Sequence, residues 1–437
     1  MNPSNLLRRN RATIKLLFVG VLSLIMVIPL IMIRSVVMER QDMQLTAQNT
    51  IANRWGGSQA VSGLVLLTRQ QVEVRHDRRT EIGEEWQANV LQEVAMDASL
   101  TTEWRYLGIY EVPVYTAVVS IQGRIDWDQV DGLQAEGDLV FWLPLGDVRG
   151  VREVSALIFG EIEIPARPLS VAANSITGLQ FTLPEADRVR TGDAYRLKIK
   201  LAGSNSLTFL PLADTTRVNL QADWPHPEFV GQFLPAERAI TDESTRANWQ
   251  LLGINRPYGD HWLVKDMPVH QLNMAGFGMR LETPVDGYQR SERSVKYGFL
   301  FISLTFFTLF LFEVMTGRPL HPVPYVLTGA ALTVFYLVLL ALSEYLPFYG
   351  AFLVAAAMLV LIVTPYIGAV LGKRKHGYLV GLMMALTYAL LYILVTAAHA
   401  ALLLGSVALL IAIAGLMYLT RGVDWYGYGG EEDNCEG

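Results

Sequence analysis

Cysteine is almost absent from this sequence of 437 residues, which contains only Cys435. An intramolecular disulfide is therefore excluded, and any domain outside the cytoplasm must be stabilised by its own hydrophobic core. The segment 34–295 is long enough to form such a core without cross-links. Formal charge is equally scarce in one region. Between residues 297 and 420 only six residues are ionised, namely Glu313, Arg318, Glu344, Lys373, Arg374 and Lys375.

Motifs that bind nucleotides or perform catalysis are also absent. The sequence contains no Walker loop, no GxGxxG before a helix, no HExxH, no CxxC and no GxSxG. His261 and His270 form the closest histidine pair, and no third ligand is spaced to join them at a metal ion. Trp142 and Trp224 are candidates for a ligand groove, although aromatic residues on strands more often belong to the core. We therefore expect no enzyme activity and no cofactor.

Long apolar runs show that this is an integral membrane protein, because about 20 helical residues cross ~30 Å of hydrocarbon. The first run, 16–33, follows Arg8, Arg9, Arg11 and Lys15 and has no small-x-small cleavage site after it, which favours an uncleaved anchor over a signal peptide. The segment 297–420 predicts a bundle of five further spans, because its last charge-free run, 377–420, is long enough for two crossings. The prediction is thus six transmembrane helices.

Six spans place both termini on the same side of the membrane. With residues 1–15 and the acidic tail 421–437 in the cytoplasm, nine Lys and Arg residues near span ends lie inside and five lie outside, as the positive-inside rule favours. The segment 34–295 is then periplasmic. Its net charge is 25 Lys+Arg − 34 Asp+Glu = −9, which argues against a nucleic-acid partner.

The charged and histidine residues of the bundle are its candidate functional residues. Glu313 lies 17 residues after Lys296, about 25 Å of helix rise, and is expected near the cytoplasmic interface beside Arg318 and His321. A snorkelling Glu313 is the simpler interpretation, and a proton relay is the alternative. Glu344 is expected at the opposite interface, on the same face as His399.

Strand-like segments dominate residues 58–284. Stretches such as VPVYTAVVSIQGRI and YRLKIKLAGSNSLTFLPL are rich in β-branched and aromatic residues and are separated by turn residues, which predicts an antiparallel, sandwich-like domain. A helical stalk is expected before it, ending at Gly56 and Gly57. Helical pieces are also expected near 84–97 and 236–249. The similar segments LPLGDVRGV and LPLADTTRV raise the possibility of an internal duplication.

Ordered blocks along nearly the whole chain resemble the CreD family of bacterial inner-membrane proteins. They include PLIMIRSVVMER, YEVPVYTA, FWLPLGDVRGV, DWPHPEFVGQFLPAER, KYGFLFISLTFFTLFLFE, RPLHPVPY, FYLVLLALSE, ALLLGS and LTRGVDWY. The resemblance implies an inner-membrane protein with a large periplasmic domain, induced with a sensor-kinase system and linked to envelope integrity, colicin tolerance and the β-lactam response. It implies no catalytic residues.

Two functions are compatible with these features. The first is a non-enzymatic inner-membrane protein that supports envelope integrity under stress and binds an envelope component or protein partner through its periplasmic domain. The alternative is a transporter, or an accessory subunit of a transport complex, that acts through the six-span bundle.

Overall fold

A computed structural model describes residues 11–76, 79–133, 137–171, 176–190, 193–282, 287–316, 320–397 and 400–421. The chain divides into two compact units. The helical unit comprises Met1–Gln44 and Val285–Gly437, and the β-rich unit comprises Leu45–Pro284. The segment 34–295, predicted to be periplasmic, contains the whole β-rich unit and about ten further residues at each end.

Seven long helices are described in the helical unit or lead out of it. They are α1 (Arg11–Ile25), α2 (Val27–Trp55), α5 (Gly287–Thr316), α6 (Pro322–Ser343), α7 (Phe348–Val370), α8 (Arg374–Thr396) and α9 (Ala401–Thr420). The first span is divided between α1 and α2 at Met26. Pro29 lies one turn after Ile25. It has no N–H to donate to the Ile25 carbonyl group, which accounts for the interruption.

Five of the described helical stretches are long and apolar enough to cross a membrane. They are Ile14–Trp55, Gly287–Val314, Pro322–Ser343, Phe348–Val370 and Arg374–Thr396. The sequence predicts six spans, and five are found within the described residues. Within α9 the described apolar stretch is shorter, Leu403–Gly415.

The apolar face of each span packs into one shared core. Val19 and Leu30 of the first span, Phe306 of α5 and Tyr336 of α6 are buried in it together with residues of α7 and α8. Pro365 lies within α7.

The β-rich unit contains eighteen described strands and two short helices. The strands are β1 (Gln59–Ser62), β2 (Val65–His76), β3 (Arg79–Leu107), β4 (Tyr110–Arg124), β5 (Leu139–Pro144), β6 (Val151–Val154), β7 (Leu157–Phe159), β8 (Ile162–Ile164), β9 (Arg167–Val171), β10 (Ile176–Leu183), β11 (Ala194–Ser204), β12 (Ser206–Leu210), β13 (Ala213–Ala222), β14 (Pro227–Gly231), β15 (Glu237–Ile240), β16 (Thr245–Leu252), β17 (His261–Leu263) and β18 (Phe277–Leu281). The helices are α3 (Trp127–Gly132) and α4 (Val269–Ala275).

These strands form a sheet of fourteen and a sheet of four. The larger has the path β8-β7-β11-β4-β3-β2-β5-β10-β9 with five further strands paired to it, and the smaller has the order β1-β12-β18-β14. Most neighbours are antiparallel, as predicted, but β1 pairs with β12 and β3 with β13 in parallel. Residues from both sheets, including Met96, Val119, Phe209 and Phe277, are buried in one core.

Two segments predicted to be helical are strands. Residues 84–97 lie in β3, where Val94, Met96 and Ala98 are buried and alternate with less buried residues. Residues 236–249 contain β15 and the start of β16, in which alternate residues are buried. Pairing with β4 and β13 outweighs the helix propensity of Glu, Gln, Ala and Met in β3.

The suggested duplication gains no support from strand pairing. Leu143 lies in β5, whose neighbours β2 and β10 are both antiparallel to it. Leu210, the matching residue, lies in β12, which pairs in parallel with β1.

Helix α2 ends directly before Gly56, and the conformation of Gly56 shows why it ends there. Helix α2 continues to Trp55, and Gly56 follows with φ +144°, a conformation that favours glycine. The Gly56 carbonyl accepts a hydrogen bond from the Ser204 hydroxyl at 2.9 Å, and the Gly57 N–H donates to Asp147 at 3.1 Å. These bonds join the helix end to β11 and to the turn after β5.

Gly56→Ala is expected to destabilise the β-rich unit. A Cβ at this position would lie 2.3 Å from the carbonyl oxygen of Ala202, in addition to the backbone strain. The expected loss is about 1–3 kcal/mol of unfolding free energy or more, measured by thermal or denaturant unfolding. Gly57→Ala is the matched control, because its Cβ would meet only an Asp147 oxygen at 3.4 Å. Equal stability of the two variants would contradict this explanation.

Candidate functional site

Glu313 is the buried carboxylate of the helical unit. It lies in the last turn of α5, and only 1% of its side chain is exposed. The expectation that Glu313 snorkels to an interface is therefore corrected. A carboxylate among apolar helices is tolerated only when other groups neutralise and hydrogen-bond it.

Lys15 and Tyr325 supply those groups. The Lys15 ammonium group forms an ion pair with Glu313 Oε1, and the Tyr325 hydroxyl donates a hydrogen bond to Oε2 at 2.9 Å. Lys15 also donates to the main-chain carbonyl of Leu320 at 2.6 Å. One carboxylate thus joins α1, α5 and α6 and the turn between the last two. We call Lys15, Glu313 and Tyr325 the three-helix cluster.

Aromatic rings surround the three-helix cluster. The ring centroids of Phe18 and Phe306 lie 6.4 and 6.2 Å from that of Tyr325, and both rings meet it edge-on. Tyr325 itself is fully buried, whereas 21% of the Lys15 side chain is exposed. The Lys15 side chain is therefore the exposed side of the cluster, and the carboxylate is enclosed.

This arrangement is a fully bonded ion pair and not an open binding site. Both carboxylate oxygens have partners, and the Lys15 ammonium group binds a main-chain carbonyl as well. Such a pair fixes the register of three helices, because sliding any one of them would leave a charge unpaired in an apolar environment.

A second ion pair involves Glu344, another predicted candidate. Glu344 follows α6, and its carboxylate lies 3.5 Å from the guanidinium group of Arg40 on α2. Its side chain is 12% exposed. Glu313 and Glu344 are thus each paired with a residue of the first helical segment, and they are not paired with each other.

His321, another predicted candidate, is exposed. Its ring nitrogen accepts a hydrogen bond from the Val323 N–H at 3.4 Å, which caps the start of α6. Arg318 and His399 lie outside the described residues.

In the β-rich unit, Trp142 and Trp224 are core residues rather than the lining of a groove. They are 1% and 5% exposed. The Trp224 ring nitrogen donates to the main-chain carbonyl of His226 at 2.9 Å. His261 and His270 are exposed, and the described part of the chain contains no group of three or more His, Cys, Asp or Glu placed to hold a metal ion.

Comparison with known proteins identifies the family. A sequence model described as "Inner membrane protein CreD" matches residues 11–426. The chain belongs to the CreD family. It is similar to the inner membrane protein CreD of Escherichia coli (strain K12), with 30% identity over 416 residues that cover 93% of this chain and 92% of the relative. The family resemblance expected from the sequence is confirmed.

Membership in the CreD family agrees with the apolar helices and identifies this chain as an inner-membrane protein. Within this CreD-family chain, the partner of Glu313 is the residue that sequence analysis missed. In the sequence, Lys15 belongs to the basic flank of the first span. A signal is present in the sequence, since an acidic residue at the end of an apolar helix requires a cation, and Lys15 directly precedes the first apolar run.

Removing one charge of the three-helix cluster is expected to destabilise the helical unit. Lys15→Met leaves the buried Glu313 carboxylate without its cation, and breaking a buried pair in this way costs up to about 3–5 kcal/mol. Tyr325→Phe removes a single hydrogen bond and should cost less, about 1–3 kcal/mol. The double variant Lys15→Met with Glu313→Gln should recover part of the loss, because no unpaired charge remains.

The measurement is the unfolding temperature of the purified full-length protein in detergent. Lys375→Met is the control, since Lys375 is an exposed basic residue of the helical unit. A Lys15→Met protein that unfolds at the same temperature as the control would show that the ion pair does not stabilise the bundle.

Proposed function

We propose that this CreD-family protein supports envelope integrity under stress by binding an envelope component or a protein partner through its β-rich unit, without enzyme activity. The size of this unit supports the proposal, since it comprises Leu45–Pro284 and has a core shared by two sheets. The absence of catalytic motifs from the sequence is consistent with binding rather than chemistry.

We place the β-rich unit in the periplasm and both termini in the cytoplasm. The two ion pairs support this arrangement, because Lys15 holds one end of the first span near the turn between α5 and α6, while Arg40 pairs with Glu344 after α6. Helix α7 then runs back to a turn that contains Lys373 and Arg374. The basic residues of the helical hairpins thus collect on the Lys15 side, which the positive-inside rule assigns to the cytoplasm.

Helix α9 completes this arrangement as a sixth crossing. It contains 20 residues, Ala401–Thr420, or about 30 Å of helix, and Arg421 follows it directly. A crossing by α9 returns the chain to the cytoplasmic side.

The single observation that favours partner binding is an open strand edge. β15 pairs with β16 among the described strands, and all four residues of β15 are exposed. An exposed edge can accept a strand from another protein through main-chain hydrogen bonds. Thr241 N–H donates to Ser244 at 2.8 Å, and since hydrogen-bonded pairs alternate along an antiparallel ladder, the Ile240 N–H faces away from β16.

Ile240→Pro should therefore abolish partner binding without unfolding the unit. Proline removes the outward N–H of Ile240 and leaves the bonds of β15 to β16 intact. The measurement is rescue of a strain that lacks its own CreD-family protein under envelope stress, at matched protein abundance. Ile240→Ala is the control and should rescue fully. Rescue by a folded Ile240→Pro protein would exclude β15 as the binding edge.

Truncation tests the wider proposal. Residues 1–295, which retain the first span and the β-rich unit, should rescue the same strain if partner binding is the function. Rescue by the full-length chain alone, at matched abundance, would mean that the helical bundle is needed.

Transport through the bundle is the second candidate function, and the buried Glu313 is the observation that favours it. A proton carrier must change its protonation state, so Glu313→Gln should abolish function even at matched abundance and with a stability loss no greater than that of Lys15→Met, which keeps the carboxylate. If Glu313 acts only in the three-helix cluster, any loss of function should follow a loss of stability. Normal function in a stable Glu313→Gln protein would remove the support for transport.

A further inference from the structure

The hairpin between β3 and β4 continues beyond the sheet that contains it. On one side, β13 pairs with β3 as far as Leu100, and on the other, β11 pairs with β4 from Val114 onward. The register between β3 and β4 nevertheless continues to the pair of Leu107 and Tyr110. Residues 101–113 therefore form a two-stranded ribbon with no described strand on either side.

One face of this ribbon is covered by the end of α2. The Arg105 guanidinium group lies over the Trp55 ring at 4.3 Å, and Ile51 packs against Val112 and Val114. Arg105 and Val112 are directly opposite each other in the register and share this face. Because successive side chains of a strand point to opposite faces, Trp104 and Tyr106 lie on the other face of the ribbon.

That other face is open and aromatic. Trp104 is 43% exposed and Tyr106 is 65% exposed. Glu111, which is also exposed, is directly opposite Tyr106 in the register. The Trp104 ring leans on the buried Trp224, with ring centroids 5.5 Å apart, so its position is fixed from below. We call Trp104, Tyr106 and Glu111 the aromatic ledge.

Carboxylates lie beside the aromatic ledge as well as on it. Asp223 accepts a hydrogen bond from the Thr102 N–H at 2.7 Å, and the Trp224 ring nitrogen donates to the Glu282 carbonyl at 3.2 Å. The side chains of Asp223 and Glu282 are exposed, like that of Glu111. Within the described residues, none of these three carboxylates forms an ion pair with a basic side chain. The charge around the ledge therefore favours a cationic ligand.

Other aromatic rings of the β-rich unit carry an arginine from the chain itself. The Arg69 guanidinium group lies 5.3 Å from the centroid of the Trp86 ring, and two arginines lie over the Trp55 ring. In the part of the chain that the structure describes, no Lys or Arg lies over Trp104 or Tyr106. The ledge thus presents the same chemistry without an internal cation, and another molecule can supply one.

An extended peptide fits the spacing of the ledge. Side chains on one face of a strand are about 6.6–6.8 Å apart, and alternate side chains of an extended peptide have the same spacing. Basic residues at alternate peptide positions can therefore each lie over one ring. Arginine fits better than lysine, because its planar group stacks on an aromatic face and donates to carboxylates in pairs. A small single cation instead requires rings on several sides, whereas Trp104 and Tyr106 lie side by side.

We propose that the aromatic ledge binds an extended, arginine-containing peptide segment of another protein. The arginine side chains lie over Trp104 and Tyr106 and pair with the carboxylates around them. This site goes beyond the proposed strand addition at β15, because it uses side chains of the ribbon and not the main chain of an edge strand.

Peptide binding to the full-length protein in detergent tests the proposal. The probe is a fluorescein-labelled peptide in which three arginines alternate with serines, and binding is followed by fluorescence anisotropy at low ionic strength. The same peptide with citrulline in place of arginine has no positive charge. The variants are Tyr106→Ala and Glu111→Gln. Glu103→Gln is the matched control, because it removes an exposed carboxylate from the covered face of the same ribbon.

The arginine peptide should bind about tenfold or more tightly than the citrulline peptide. Tyr106→Ala and Glu111→Gln should each weaken its binding by about two- to fivefold, and Glu103→Gln should change it less than about twofold. Equal binding of the two peptides, or no binding of either, would overturn the proposal. An equal loss in Glu103→Gln would also overturn it, because binding would then depend only on net charge.

A neutral sugar is the other class of ligand that stacks on exposed aromatic rings. An oligosaccharide of N-acetylglucosamine that binds the protein in place of the arginine peptide, and fails to bind Tyr106→Ala, would overturn the proposal in favour of a glycan. The Ile240→Pro protein should bind the arginine peptide as tightly as the unsubstituted protein does. Failure of the ledge and failure of the β15 edge are therefore distinguished.

Discussion

A charge placed among apolar helices must be paired, and in this protein the ion pair between Lys15 and Glu313 meets that requirement. The two residues are 298 positions apart in sequence. They lie on α1 and α5, which belong to the two segments that lead into the β-rich unit and back from it. The pair therefore fixes α1 against α5. The Tyr325 hydroxyl and the Leu320 carbonyl extend the same constraint to α6.

The β-rich unit is stabilised by sheet pairing and a hydrophobic core rather than by buried ion pairs. It has no disulfide, so its stability depends on sheet pairing and on the core shared by the fourteen-stranded and four-stranded sheets. Strand pairing leaves open edges and projecting ribbons wherever a neighbour ends early, as at β15 and beyond Leu100 of β3. Surfaces of this kind are where a β-sheet protein contacts other molecules, since the interior positions are already paired.

Much of this fold could be predicted from local sequence. The predictions that were wrong concern segments whose structure depends on contacts with distant parts of the chain. The apolar runs, the stalk ending before Gly56 and strands such as β4 and β11 follow from composition, turn residues and periodicity. In β16 the residues of TRANWQLL alternate between buried and exposed, and pairing with β13 and β15 stabilises the strand. The parallel pairing of β3 with β13 and the pairing of Lys15 with Glu313 join distant segments, and no local pattern specifies them.

The chemistry of the three-helix cluster bears on what the bundle does. A proton carrier has to release and rebind its proton as access changes, yet Glu313 is almost fully buried and both of its oxygens are hydrogen-bonded. Protonating Glu313 would leave the Lys15 ammonium group with the Leu320 carbonyl and a neutral acid, so each cycle would break the contact that holds α1 against α5. We infer that this cluster acts as a structural clamp.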